Sequence, residues 1–183
     1  METNGMEKYM IIKIILYKLK NGTGLIKRYD EFHKVEIEEN YKNGKLNGIQ
    51  KLFSGEKVIY EIEYINGILI KQKEYNKDGL LKYEYEYLYK KIRRGKAYIK
   101  GKLEYEGEYL FDRKYNGKGY DEKGNIIYEL INGNGKVKEY DWEGRLIFDG
   151  EYLNGRRWNG KFMTYEYDGT ILNKEEYKNG EKI

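Results

Sequence analysis

Several residue types that carry chemistry are missing or nearly missing from this chain. Its 183 residues include no cysteine, one histidine (His33) and one serine (Ser54). The lack of cysteine excludes disulfides and thiolate metal sites and suits a reducing compartment, so we expect a cytoplasmic protein. Neither a Ser–His or Cys–His pair nor a multi-histidine metal site can be built. We therefore expect no catalytic activity, no cofactor and no bound metal.

A long hydrophobic run and a charge excess of one sign are also missing. The most apolar stretch, residues 9–17, contains Lys13, is too short to span a bilayer and lacks a signal-peptide cleavage site. We interpret it as part of a first β-strand at about 9–19. Lys and Arg number 35 against 31 Asp and Glu, a formal net charge of +4. Because the two signs interleave along the chain, we do not expect nucleic acid as a partner.

Glycine and tyrosine are abundant, at 22 residues each. One compact core would bury many phenolic hydroxyls, each of which would need a hydrogen-bond partner. A thin sheet lets each ring pack while its oxygen stays in water, so the composition favours a sheet.

A cluster of the form Glu-Tyr-x-Asn-Gly recurs along the chain, most clearly at 63–67, 151–155 and 176–180. A second turn signal rich in Asp, Asn and Gly lies between the clusters, as at 76–79 and 121–124. Gly and Asn accept the positive φ that tight hairpin turns require. The central Tyr or Leu of the cluster recurs every 21 to 25 residues, at Leu19, Tyr41, Tyr64, Tyr87, Tyr109, Leu130, Tyr152 and Tyr177.

This periodicity predicts an all-β fold, an elongated single-sheet antiparallel meander of about eight tandem β-hairpin repeats. We expect one repeat array over residues 1–183, with the repeats at about 19–182. The strand before each cluster alternates with period two, placing aromatic and aliphatic residues on one face and Glu and Lys on the other. Gly107 and Gly150 fall on the aromatic face, where a neighbouring ring could lie across bare backbone.

The segments Tyr105-Glu106-Gly107-Glu108-Tyr109 and 148–155, continuing into Trp158-Asn159-Gly160, resemble MORN repeats (membrane occupation and recognition nexus). The resemblance extends from about Leu19 to Lys182 and is weakest over 66–95. It implies an elongated meander with aromatic residues along one surface. It also implies a non-catalytic scaffold or protein–protein interaction module. Related bacterial repeat proteins are described as antitoxin-like, so an inhibitor that occludes a partner enzyme is an alternative, and peripheral binding of anionic phospholipid is a further one.

Candidate binding residues follow from the repeat and from the residue types common at protein interfaces. We expect a row of partly exposed rings on one face. Trp142 occupies a turn, and Trp158 follows Arg156-Arg157 in what we interpret as a short insertion that lengthens the last repeat. The candidates for contact with a protein partner are Tyr64, Tyr87, Tyr109, Tyr152, Trp142 and Trp158.

Two further contacts are considered. The one basic cluster, formed by Lys90, Lys91, Arg93 and Arg94, is a candidate for an anionic membrane surface, although a solvated loop is the simpler interpretation. The apolar first strand, with Ile11 to Leu16, offers an edge for pairing with another chain and for self-association. Acidic pairs such as Glu106 and Glu108 recur in most units, so we expect them to pair with lysines across strands.

Overall fold

The protein folds into β-strands and turns, with no helix in the described part of the chain. The structure is a computed structural model that describes residues 15–89 and 91–183. The strands are β1 (Ile15–Lys20), β2 (Thr23–Tyr29), β3 (Val35–Lys42), β4 (Lys45–Leu46), β5 (Gly48–Ser54), β6 (Lys57–Ile65), β7 (Ile68–Tyr75), β8 (Leu81–Leu88), β9 (Lys91–Ile99), β10 (Lys102–Leu110), β11 (Arg113–Tyr120), β12 (Ile126–Leu130), β13 (Gly135–Tyr140), β14 (Leu146–Leu153), β15 (Arg156–Tyr165), β16 (Ile171–Lys178) and β17 (Glu181–Lys182).

Apart from β4 and from the step between β12 and β13, each strand pairs antiparallel with its neighbours in sequence, so the predicted all-β meander of successive hairpins is confirmed. The hydrogen-bonded ladder is interrupted once, after β12. Strands β1 to β12 form a 12-stranded sheet, in which β4 pairs with β3, and β13 to β17 form a 5-stranded sheet. An isolated bridge between Ile131 and Asn134 and turn hydrogen bonds of Gly133, to the Tyr115 carbonyl and from the Gly155 N–H, join the backbones at the break.

The hydrophobic core continues across this interruption. Tyr128 and Leu130 of β12 lie in one buried cluster with Val137 of β13 and Phe148 of β14. Tyr105 and Phe148 are fully buried. Side-chain packing therefore connects the two sheets where backbone pairing stops.

Two kinds of turn alternate along the chain, as the sequence predicts. In the Asn-Gly turns both residues have positive φ, with Asn φ between 51° and 54° at Asn21, Asn43, Asn66, Asn132, Asn154 and Asn179. This is the two-residue type I′ geometry, whose twist matches that of a hairpin. On the opposite edge, Asp or Asn side chains close longer loops. Asp121 Oδ1, for example, accepts the backbone N–H of Lys123 and of Asn125, each at 2.9 Å.

β-Bulges interrupt the strict alternation that the sequence suggests. Glu104 is an extra residue in β10, between Leu103 and Tyr105, and the ladder shifts there. Trp158 is an extra residue in β15, as Tyr115 is in β11. The interpretation of 156–158 as an insertion is therefore wrong. Arg156 opens β15 in the same register as Arg113 opens β11, and the added length lies in the 10 residues of β15.

The glycines of the aromatic face have the role that the sequence predicts. Gly107 lies opposite Gly95 on one side and Gly117 on the other. The Tyr105 hydroxyl lies where a Cβ on Gly107 or Gly117 would stand, and the Phe148 ring lies against Gly150 in the same way. Rings therefore cover bare backbone in both sheets.

Of the predicted first strand, residues 9–14 lie outside the described residues. The described part, β1, pairs only with β2 among the described strands. It is therefore the edge strand of the larger sheet.

Candidate functional site

The four predicted contact tyrosines lie half-buried on the aromatic face, and Tyr87, Tyr109 and Tyr152 pack against other rings or polar groups. Tyr109 meets Tyr85 and Tyr105 edge-on, with ring centroids 5.6 and 5.9 Å apart. Tyr152 lies 6.2 Å from Phe148, and the Tyr87 hydroxyl donates to Gln72 Oε1 at 3.2 Å. Burial raises the pKa of the phenols of Tyr64, Tyr87, Tyr109 and Tyr152. The rings partly cover one another, and each keeps some accessible surface.

A buried ionic cluster holds the aromatic face of the first sheet. Lys114 Nζ lies 3.2 Å from Glu104 Oε2 and 4.3 Å from the centroid of the Tyr105 ring. The Tyr128 hydroxyl donates to Glu104 Oε1 at 3.0 Å. The bulge in β10 turns Glu104 into this face, where it is almost fully buried.

The second sheet repeats the arrangement. Arg157 donates to both oxygens of Glu139, at 2.9 and 2.6 Å, and the Tyr152 hydroxyl donates to Glu139 Oε1 at 2.7 Å. The guanidinium carbon of Arg157 lies 4.5 Å from the centroid of the Phe162 ring. A carboxylate held by its own cation and phenol is satisfied within the fold, and removal of either partner would leave a charge unpaired in the face.

Sequence reasoning missed Glu104, Lys114, Glu139 and Arg157. A signal for the cations was present at the second position after each turn. That position holds Leu46, Leu69 and Ile92 in three earlier units and Lys114, Arg157 and Lys182 in three later ones, with Gly24 and Gly135 in the other two. No comparable signal marks Glu104, because its inward direction follows from a bulge.

The acidic pairs of the outer face pair across strands as expected. Glu106 lies 3.4 Å from Lys96, and Glu84 lies 3.6 Å from Lys71.

The described residues of the predicted basic cluster lie in different environments. Lys90 lies outside the described residues. Lys91 Nζ lies 5.2 Å from the centroid of the Phe111 ring, Arg93 is exposed, and Arg94 lies 3.8 Å from Glu108.

The two tryptophans differ in exposure. Trp142 lies in the loop between β13 and β14 and is 53% exposed. Trp158 is half-buried in its bulge, with its ring next to Gly180 of the last turn. Trp142 is the more accessible of the two.

The Asn-Gly turns form one edge of the array, which we call the turn edge, and they are linked to one another. Gly155 donates its N–H to the Gly133 carbonyl of the preceding turn at 2.8 Å, as Gly44 does to Gly22. The Asn154 N–H is bound by Asn134 Oδ1 at 2.9 Å. These contacts repeat along the edge and fix the turns relative to one another.

Two turns in the middle of this edge depart from Asn-Gly. Tyr89 and Phe111 take the place of Asn with φ of 50° and 51°, and Asp112 takes the place of Gly with φ of 60°. Such a backbone costs a bulky residue about 1–3 kcal/mol. Tyr89 is 87% exposed and Phe111 is 68% exposed. The strain therefore accompanies two aromatic rings that extend into solvent at neighbouring turns.

An exposed row of aliphatic side chains runs beside these turns. The residue before each turn lies on the outer face, because its predecessor faces inward. We call Ile65, Leu88, Leu110, Ile131 and Leu153 the aliphatic row; their exposure ranges from 38% to 66%. A cleft of about 480 Å³ opens beside Leu110 and Phe111, with Arg113, Asn132 and Asn154 in its walls. Sequence reasoning named none of the row, although every member precedes a turn position.

Within 15–89 and 91–183, no group of three or more His, Cys, Asp and Glu side chains is arranged to hold a metal ion. The same residues contain no helix of the length and apolarity needed to cross a membrane.

Comparison with known proteins gives no relative from which to transfer a function. No protein-family model matches the chain, and no curated protein matches it.

Proposed function

We propose that this chain is a non-catalytic protein-binding or scaffold module built from MORN-like tandem hairpins. The observation that carries the proposal is the aliphatic row, which remains exposed in five successive units. Exposed apolar side chains gathered along one edge of a fold are a feature of interaction sites. The exposed Tyr89 and Phe111 add the residue type that contributes most at protein interfaces.

The acidic groups support binding over catalysis. Glu104 and Glu139 are held by their own cations and phenols, and Glu84 and Glu106 pair with lysines. A catalytic carboxylate needs an open side toward a substrate. His33 is exposed at a loop, with φ of 61°. We therefore propose that the chain acts by occupying the surface of a partner, in the cytoplasm.

Two narrower versions of this function differ in what is bound. An antitoxin-like inhibitor would use the same surface to cover an enzyme, so it is a special case of the proposal. Binding of anionic phospholipid would use Lys91, Arg93 and Arg94, and the proximity of Glu108 to Arg94 weakens that version.

Site-specific photo-crosslinking in the cells of origin tests the proposal. The photoreactive residue p-benzoylphenylalanine would replace Leu110 on the turn edge, Tyr87 on the aromatic face or Trp142 in a loop. Lys123, exposed in a loop on the opposite edge, serves as the matched control. We expect a discrete protein adduct from Leu110 and none from Lys123. An adduct from Tyr87 alone would move the contact to the aromatic face. The absence of a protein adduct at all three positions would contradict protein binding.

A further inference from the structure

At three of its turns, the turn edge presents an apolar side chain opposite a basic one. Residues opposite one another across the turns pair as Leu88 with Lys91, Leu110 with Arg113 and Leu153 with Arg156. Both members of each pair lie on the outer face. From Leu88 to Arg113 the order along the array is therefore aliphatic, basic, aliphatic, basic. At the flanking turns, Ile65 lies opposite Ile68 and Ile131 lies opposite Asn134.

The basic members have no acidic partner of their own. Lys91, Arg113 and Arg156 are exposed, and none forms an ion pair with a residue in 15–89 or 91–183. The more central Glu and Lys residues of the same face are largely paired. An unpaired basic row beside exposed leucines is complementary to an acidic, amphipathic partner. It also disfavours a second copy on this edge, because that copy would bring an equally basic row.

The spacing of the aliphatic row is close to the axial spacing of residues seven apart in an α-helix. One unit contributes two strands, and strands lie about 4.8 Å apart, so equivalent side chains recur about every 9.6 Å. In an α-helix, residues seven apart are separated by about 10.5 Å along the axis. The difference is about 1 Å per unit, which side-chain rotation absorbs over the two intervals from Leu88 to Ile131.

We infer that an acidic amphipathic α-helix of a partner protein lies along the turn edge. Its apolar residues contact Leu88, Leu110 and Phe111, and its carboxylates contact Lys91 and Arg113. This inference rests on the proposed function and adds the chemistry of the partner. The strained backbone at Tyr89 and Phe111 places aromatic rings at the centre of this surface, where a helix would cover them.

A synthetic peptide tests the inference. The probe is a fluorescent helix of about three heptads with Leu at positions a and d and Glu at e and g. Binding is measured by fluorescence anisotropy against the full chain. A second peptide, identical except for proline at two central positions, cannot form the helix. A third peptide carries Lys in place of Glu.

We expect the acidic helix to bind and the other two peptides to bind at least tenfold more weakly. Leu110→Ser and Arg113→Glu should each weaken binding by about tenfold, and added salt should weaken it further. The matched controls, Leu172→Ser and Lys123→Glu on the opposite edge, should bind as the unaltered chain does. Circular dichroism of each variant checks that the fold is retained.

The outcomes separate the two proposals. The helix inference is overturned if the acidic helix does not bind, if the proline peptide binds equally well, or if Arg113→Glu has no effect. In that case a protein adduct from Leu110 would leave the proposed function standing. The absence of peptide binding, together with the absence of a protein adduct from Leu110, Tyr87 and Trp142, would overturn both.

Discussion

At the scale of single residues, the aromatic face is a packed surface that stays partly accessible to water. Its tyrosines pack ring against ring, while Lys114 and Arg157 lie over those rings and hold buried carboxylates. The hydroxyls of Tyr75, Tyr128 and Tyr152 are satisfied within the fold, because each donates to a carboxylate. Because the phenols are neutral in this arrangement, their ionisation couples to stability.

Alkaline pH should destabilise the fold. Burial, together with a hydrogen bond to Glu61, raises the pKa of Tyr75 to about 12, and burial raises the pKa of Tyr85 and Tyr109 as well. An unfolded tyrosine has a pKa near 10. Above about pH 10 the unfolded chain therefore releases protons that the native chain retains, and stability falls as pH rises.

Urea unfolding at pH 8 and pH 11 measures this effect. We expect a lower free energy of unfolding at pH 11, and a smaller difference in Tyr109→Phe, which lacks one of the buried phenols. Equal stability at the two pH values would show that the tyrosines titrate normally and that the face is open to water.

At the scale of strands and turns, the sequence predicts the hairpins but neither the bulge in β10 nor the strained turns. Asn-Gly pairs and Asp-rich loops are local signals, so the hairpins and their order follow from them. The bulge at Glu104 does not, because nothing in the alternation of β10 marks which residue is extra. The strained turns at Tyr89 and Phe111 were not foreseen either, since aromatic residues do not signal positive φ. Only the structure shows that these aromatic residues occupy turn positions along the turn edge.

The aligned glycines of neighbouring strands give a direct test of packing at this scale. A Cβ on Gly107 would overlap the Asn116 carbonyl oxygen and the Gly117 Cα, both backbone atoms of β11. Gly107→Ala must therefore force β10 and β11 apart. We expect a loss of about 1–3 kcal/mol in the free energy of unfolding.

Urea denaturation checks this loss, with Glu122→Ala in an exposed loop as the control. A Gly107→Ala variant as stable as that control would mean that the Tyr105 ring and the two strands do not meet as described.

At the scale of the whole molecule, consecutive pairing makes an open array whose units contact mainly their neighbours. The core crosses the ladder break through Tyr128, Leu130 and Phe148, so the two sheets share apolar packing without shared strand pairing. Such an array has a long edge relative to its mass, which suits it for binding an extended partner.

Small-angle scattering should report an elongated particle. About 16 strands spaced about 4.8 Å apart extend for roughly 70 Å, which corresponds to a radius of gyration of about 20 Å or more. A compact chain of this length would have a radius near 16 Å. A measured value near the compact one would contradict the open array.

The central claim is that the turn edge, with its aliphatic row and the exposed aromatics of its strained middle turns, binds a protein partner, and one double variant tests it directly. Phe111→Asn combined with Asp112→Gly restores the turn found in the other units. Relief of two unfavourable backbone positions should raise the free energy of unfolding by about 1 kcal/mol or more. The same change removes the exposed ring, so the yield of the protein adduct from Leu110 should fall by about tenfold. A variant that is more stable and cross-links as strongly as the unaltered chain would contradict the claim, as would one that gains no stability.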